Sequence, residues 1–252
     1  MPANRQVDDM LSKTPIGAHL PRVTLRTIWL NILPLLLLAA CEMQPAETLD
    51  TPRVLALSLD PADPSPGAEH TATALTFEVG GELEWALCAE AWAPTEPLSC
   101  PSGETALGRG NPLTFTWPDL DSAWLKASAV DGPALPAVKL IEVDAGAINP
   151  ATVAIVPTSA SMLPTLPTSL ATKATLELTV DLGDLSDEDK AKHVVSWYVT
   201  DGKLEPARTL GTETAVYTAP DAATSQPIRI IAVVRETKGG TAWAEAALEV
   251  TP

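Results

Sequence analysis

Residues 194–205 read VVSWYVTDGKLE. Val195, Trp197 and Val199 alternate with Ser196 and Tyr198, the period of a strand with one face in a core. Asp201-Gly202 then turns the chain. Working outward, Ala174 to Val180 sets Ala174, Leu176, Leu178 and Val180 against Thr175, Glu177 and Thr179. Downstream, Ala215 to Thr218, Ile228 to Val234 and Ala242 to Val250 are further β-type runs, with Gly239-Gly240 between the last two. Val153 to Val156 opens the set and is followed by the loop PTSASMLPTLPTS. Ser186 to His193 suits one helical turn, with Ser186 and Asp189 spaced as a capping box.

The first half carries the same scheme. Val54 to Leu59 ends at Asp60-Pro61 and the Asp63-Pro64-Ser65-Pro66-Gly67 loop. Thr73 to Val79 places Leu75, Phe77 and Val79 on one face, and Gly80-Gly81 turns the chain. Leu83 to Ala89 points Leu83, Trp85 and Leu87 inward; Leu113 to Trp117, Ala123 to Val130 and Ala137 to Val143 follow. The segment FTWPD (115–119) matches YTAPD (217–221), each C-terminal to a strand with a central Trp and each followed by two β runs. A Trp-bearing third strand in a seven-strand plan of about 100 residues predicts an immunoglobulin-like sandwich. The expected fold is therefore all-β: two tandem immunoglobulin-like β-sandwich domains, 53–146 and 150–252, divided at Gly146 to Pro150.

The second half, with VVSWYVTDGKLE, TAVYTAPD and IRIIAVVRETKGGTAWAEAALEV, resembles the Ig-like or PKD-like repeats of bacterial envelope lipoproteins. The resemblance implies spacers, stalks or binding platforms, and it brings no catalytic residues to carry over. The first half departs from it by inserting the Cys88–Cys100 region between its third strand and FTWPD.

Residues 27–41, TIWLNILPLLLLAAC, follow Arg22 and Arg26 and have the basic flank, apolar core and small-residue ending of a secretory signal. Leu38-Ala39-Ala40-Cys41 resembles the bacterial lipobox, which implies a signal peptide over 1–40 and acylation of Cys41. A membrane-spanning helix needs about 20 apolar residues; this run is shorter and holds Asn31 and Pro34. The segment before Arg22 has no pattern, and Met10 is an alternative start. Glu42 is not the aspartate that retains many Gram-negative lipoproteins at the inner membrane, so the expectation is the outer membrane, periplasmic or surface-facing. Glu42 to Pro52 is polar and aperiodic, and 41–52 reads as a flexible lipid tether.

Removing 1–40 takes four of the 16 Lys/Arg (Arg5, Lys13, Arg22, Arg26) and two of the 32 Asp/Glu (Asp8, Asp9), leaving 12 bases, 30 acids and a net charge of −18. That excludes nucleic acid, whose phosphates need basic clusters, and leaves the acyl chains as the membrane attachment. Twenty-four prolines disfavour helix, while 46% hydrophobic residues in alternating runs oppose disorder.

Cys88 and Cys100 remain after Cys41 is acylated, and in an oxidising compartment they are expected to pair. Cys88 falls three residues after Trp85, on the opposite strand face, so it is not the inter-sheet cysteine of antibody domains. The bridge would staple the loop AEAWAPTEPLS, worth roughly 3 kcal/mol by loop entropy. No further cysteine or nearby histidine completes a tetrahedral metal set. Trp92 in that loop is a candidate contact for a partner or a sugar; alternatively it folds back and caps the sandwich end. Trp124 and Trp243 suggest a stacking surface or an interdomain contact. Asp181, Asp184, Asp187, Glu188 and Asp189 could offer oxygen ligands to calcium, but their spacing is not that of an EF-hand, and a solvated loop is the simpler reading. His70 and His193 sit beside no marked nucleophile and in no HExxH, and GxSxG, Walker A and GxGxxG are absent. No catalytic, cofactor or metal residue is therefore assigned. The expectation is a lipid-anchored, non-enzymatic envelope protein presenting Ig-like domains for protein or glycan contacts, with a structural subunit of an outer-membrane assembly, or a hydrolase, as alternatives.

Overall fold

The computed structural model describes residues 47–94, 98–158 and 166–252. The expected signal peptide (1–40) and Cys41 lie outside the described residues.

Seven strands build the first half: β2 (Arg53–Asp60), β3 (Glu69–Phe77), β4 (Leu83–Cys88), β5 (Thr105–Arg109), β6 (Leu113–Thr116), β7 (Ser122–Ala129) and β8 (Ala137–Glu142), preceded by β1 (Glu47–Thr48). They form one sheet ordered β2-β3-β6 and another ordered β5-β4-β7-β8. Their inner faces enclose Leu59, Ala72, Leu83, Trp85, Leu87, Trp117, Leu125 and Ile141, among others. The period-two rule explains β4: Leu83, Trp85 and Leu87 enter this core, while Ala86 and Cys88 face outward.

The second half contains β9 (Ala154–Pro157), β10 (Ser169–Ala171), β11 (Thr175–Asp181), α1 (Asp187–Lys190), β12 (His193–Val199), β13 (Lys203–Glu205), β14 (Arg208–Leu210), β15 (Ala215–Thr218), β16 (Ile228–Glu236) and β17 (Thr241–Thr251). One sheet runs β13-β15-β11-β9; the other runs β1-β12-β16-β17-β10, with β14 also paired to β12. Leu176, Leu178 and Val180 from β11 meet Val195, Trp197 and Val199 from β12 across this second core. The expected helical turn forms: Ser186 caps α1, and its hydroxyl accepts from the Asp189 N–H at 3.1 Å.

The two FTWPD-type segments play the same part. Trp117 N–H donates to the Ala68 carbonyl, and Ala219 N–H donates to the Ala174 carbonyl, both at 2.9 Å. Each bond extends one ladder by a residue pair, β3 with β6 in the first half and β11 with β15 in the second. Trp85 and Trp197 are both 1% exposed, one in each core.

A third apolar layer joins the halves. Leu55, Ala56, Leu75 and Phe77 pack with Leu49, Ile231 and Val233, and Tyr198 and Trp243 lie against them. The outer face of the β2-β3-β6 sheet thus covers the outer face of the sheet built on β12, β16 and β17. This explains IRIIAVV in β16, which is apolar on both faces: Ile230, Ala232 and Val234 enter the second core, Ile231 and Val233 the junction. In β2 a bulge between Val54 and Ala56 shifts the register, so Val54 and Leu57 share the first core although their numbers differ in parity. The alternating face read for residues 73–79 splits: Leu75 and Phe77 enter the junction, and Val79, after Glu78 at φ 51°, packs on the first core.

The tether is shorter than expected. Glu47–Thr48 add to β12 as a parallel strand, Leu49 N–H donates to the Val199 carbonyl at 2.8 Å, and Leu49 is buried. The edge of β12 beyond β14 leaves backbone groups to be paired, and Leu49 supplies an apolar side chain to the junction, so residues 47–49 belong to the fold.

Candidate functional site

Cys88 and Cys100 are joined, with Cα atoms 5.7 Å apart. The bridge lies on the outer face of the β5-β4-β7-β8 sheet, where Ala86, Cys88 and Trp92 form a small apolar cluster backed by Leu98, Cys100 and Trp124. Trp92 is only 8% exposed. It is therefore not the exposed contact that the sequence offered as one alternative; it folds back, over the sheet face rather than the sandwich end. The cause is local: Ala86 and Cys88 leave an apolar patch on a solvent-side face, and the stapled loop is short enough to lay Trp92 across it. Lys126 Nζ sits 4.3 Å from the Trp92 ring centroid and is held at 3.0 Å by Glu104.

Beside this cluster an apolar strip remains open. In the ladder Trp124 stands opposite both Cys88 and Leu140, and Lys126 opposite both Ala86 and Val138. Trp124 is half-buried, whereas Val138, Leu140 and Leu135 are 38%, 39% and 52% exposed. Sequence reasoning missed Val138 and Leu140 because their strand alternates like any half-buried one; its outward residues happen to be aliphatic. Trp243 lies in the junction, as the interdomain alternative had it.

The junction also has a polar edge. Asn149 in the connecting segment donates to the Leu59 carbonyl at 2.7 Å and accepts from the Thr241 N–H at 2.8 Å, which ties it to both halves. Ser58 Oγ donates to the Thr241 carbonyl at 2.9 Å. Lys139 Nζ donates to Thr241 Oγ1 at 2.9 Å and to the Leu57 carbonyl at 3.3 Å. Arg235 donates to Ser196 Oγ at 3.0 Å and to the Leu55 carbonyl at 3.3 Å. Of these, Leu55, Leu57, Lys139, Arg235 and Thr241 border a cavity of about 280 Å³. Burial, and then the charge of Arg235, bring Lys139 down to about 8.

A wider cleft of about 650 Å³ lies between the connecting segment, α1 and the end of β16, lined among others by Ile148, Leu182, Asp189, His193 and Glu236. His193 is buried and its Nδ1 donates to the Asp189 carbonyl at 2.8 Å. The Lys192 ammonium donates to Asp189 at 2.8 Å; this bond holds the Asp189 carboxyl below its ordinary value and the Lys192 ammonium above its own. Asp181 accepts from the Gly183 N–H at 2.9 Å. Part of the acidic cluster is thus committed to backbone and lysine donors, and among the described residues no three His, Cys, Asp or Glu side chains converge as a metal site. His70 Nδ1 donates to the Pro61 carbonyl at 3.3 Å and its second nitrogen accepts from the Ser65 N–H at 3.4 Å. Both ring nitrogens of His70 are thereby spent on holding the 61–70 loop.

Among the described residues no helix is long and apolar enough to cross a membrane. No protein-family model matches the chain, and no curated protein matches it. Solved structures similar to it include the FN1–FN3 domains of chicken CNTN1, at 10% identity and a TM-score of 0.24, covering 82% of this chain and 69% of that one. A putative membrane-anchored protein from Corynebacterium diphtheriae is similar at 13% identity and a TM-score of 0.26, covering 77% of this chain and 53% of that one. The SGBP-B protein of a Bacteroides ovatus mixed-linkage glucan utilization locus, in complex with a mixed-linkage heptasaccharide, is similar at 14% identity and a TM-score of 0.24, covering 81% and 48% respectively. The chain spans about half the length of the last two. The fold rests on the strand order and register described above.

Proposed function

We propose that the chain is a lipid-anchored, non-enzymatic binding module of a bacterial outer membrane. Residues 1–40 are removed, Cys41 is acylated, and residues 53–146 and 150–252 act as two Ig-like domains that meet a protein partner. The observation that carries the partner is the open strip of Trp124, Val138 and Leu140 beside the stapled loop. The corresponding sheet face of the second sandwich, around Tyr198, Ile231 and Val233, is already covered by another β-sheet. The same side of the same fold therefore serves once, within this chain, as a sheet-packing surface. Aliphatic side chains beside a half-buried tryptophan suit such packing. A glycan would call for an exposed aromatic platform, and Trp92 is buried.

The test places a photo-crosslinking residue at Leu140 or, as control, at Glu177 on the exposed polar face of β11, in full-length protein in native membranes. The reading expects one reproducible protein adduct from position 140 and none from 177. Equal adducts from both positions, or none from position 140, count against it.

A further inference from the structure

We propose that the cavity at the junction of the two sandwiches is an oxyanion site, in which Lys139 from β8 and Arg235 from β16 together hold a small phosphate-, sulfate- or carboxylate-type group and so clamp the halves. The proposal goes beyond the partner strip: Val138 and Leu140 of that strip also border the cavity, but the charged groups invoked here are Lys139 and Arg235.

Two cations, Lys139 and Arg235, line this cavity, and neither is in an ion pair among the described residues. Lys139 Nζ has Thr241 Oγ1 and the Leu57 carbonyl as acceptors, and Arg235 has Ser196 Oγ and the Leu55 carbonyl. Neither forms an ion pair with any carboxylate among the described residues. That is unexpected in a chain with 32 acids to 16 bases, because buried charges are ordinarily paired. Glu236 also borders the cavity; its Oε2 is buried without a hydrogen-bond partner, and among the described residues it makes no ion pair with Lys139 or Arg235. Lys139 and Arg235 themselves are hydrogen-bonded to neutral acceptors. Their mutual repulsion and burial show in the lowered affinity of Lys139 for its proton.

The space beside them is of the right kind. A partly open space of about 280 Å³ is bordered by Leu55, Leu57, Val138 and Leu140 with the Gly239-Gly240 turn. This is far more than one water requires, so a small oxyanion has room to meet both cations. Arg supplies a planar donor fork and Lys a point charge, the pair that recognises oxyanions. Because one cation belongs to each sandwich, binding would stabilise the junction by mass action.

The test is titration of full-length protein with sodium sulfate and with sodium phosphate at pH 7, at ionic strength held constant with sodium chloride, by calorimetry and by thermal unfolding. The proposal expects saturable binding and a saturable rise in Tm for the wild type. Lys139→Met and Arg235→Met should each weaken binding about tenfold or more, while Lys192→Met, on the α1 side, should leave it unchanged. Sulfate stabilises proteins generally by exclusion, but that effect is unsaturable and common to all variants. Absence of saturable binding to wild type overturns the proposal, and so does equal binding by wild type and Lys139→Met. The wild-type calorimetry stands even if a variant fails to fold. Failure here would leave the crosslinking result at Leu140 untouched.

Discussion

The indole Nε1 of Trp197 donates a 2.9 Å hydrogen bond to the hydroxyl of Thr209 on the short strand β14. The first sandwich repeats the relationship with a different acceptor: Trp85 Nε1 donates at 2.7 Å to the Gly110 carbonyl, just after β5. In both halves the core tryptophan thus ties its own strand to the edge element that flanks it. Its ring fills the core, and its one polar atom fixes the sheet edge.

Thr209→Val keeps the branched shape and removes the acceptor, leaving a buried indole N–H unsatisfied. Thr209 is 3% exposed, so water cannot replace it. The expected cost is about 1–3 kcal/mol in urea unfolding, with Thr209→Ser restoring most of it. A Val variant as stable as wild type would show the bond to be idle.

The junction predicts coupling between the halves. Val233 is fully buried against the first sandwich, and Val233→Asp would put a carboxylate into that apolar layer. Unfolding of the variant should separate into two transitions, and proteolysis between residues 146 and 150 should quicken. A single transition with unchanged cleavage would mean that the apolar layer does not join the two units.

Much of this fold was legible from residues 194–205 outward, because burial writes itself as alternation. Leu176, Leu178, Val195, Trp197 and Val199 all lie where the period put them. The elements that escaped were edges. In β5, Thr105–Arg109, no residue is buried, so no apolar period exists to be read. The three-residue strands β10, β13 and β14 are held by backbone pairing and by single contacts such as Thr209. The junction was hidden for the opposite reason: IRIIAVV is apolar on both faces, and a strand pattern alone does not say what covers the second face. Lys139 and Arg235 meet only because the two sheets stack, which no local spacing records.

Stability should depend on pH through Lys139. Its pKa falls from 10.5 to about 8 on folding. Below about 8 both states carry the proton, and the fold bears the full cost of a buried charge. Between about 8 and 10.5 the unfolded chain holds a proton that the folded one lacks, so stability rises with pH across that window. The total is on the order of 3 kcal/mol. Arg235, Glu236 and, in the adjoining cavity, Glu142 and Lys238 are the other charged groups near this edge. Tyr217, raised to about 12 by burial and then by Asp201, opposes the trend only above pH 10. Urea unfolding from pH 7 to 10 in chloride buffer should show the rise in wild type and not in Lys139→Met, which should be the more stable of the two at pH 7. A flat wild-type profile would place Lys139 in water.

The staple makes a separate prediction. Replacing Cys88 and Cys100 together by Ser should cost roughly 3 kcal/mol and release Trp92 from the sheet, seen as red-shifted tryptophan emission. Since the cluster of Ala86, Cys88 and Trp92 is remote from the second core, the second sandwich should retain its unfolding behaviour. An unshifted spectrum would mean that Lys126 and Glu104 hold Trp92 without the bridge.

The lipid-anchored reading turns on one residue. Cells expressing wild type or Cys41→Ser, grown with a radiolabelled fatty acid, are separated into membrane and soluble envelope fractions. Wild type should carry label at Cys41 and sediment with the outer membrane, and the Cys41→Ser protein should carry none and appear in the soluble envelope fraction. Retention of the unlabelled variant in the membrane would contradict the account, because the apolar run before Cys41 would then be an uncleaved anchor.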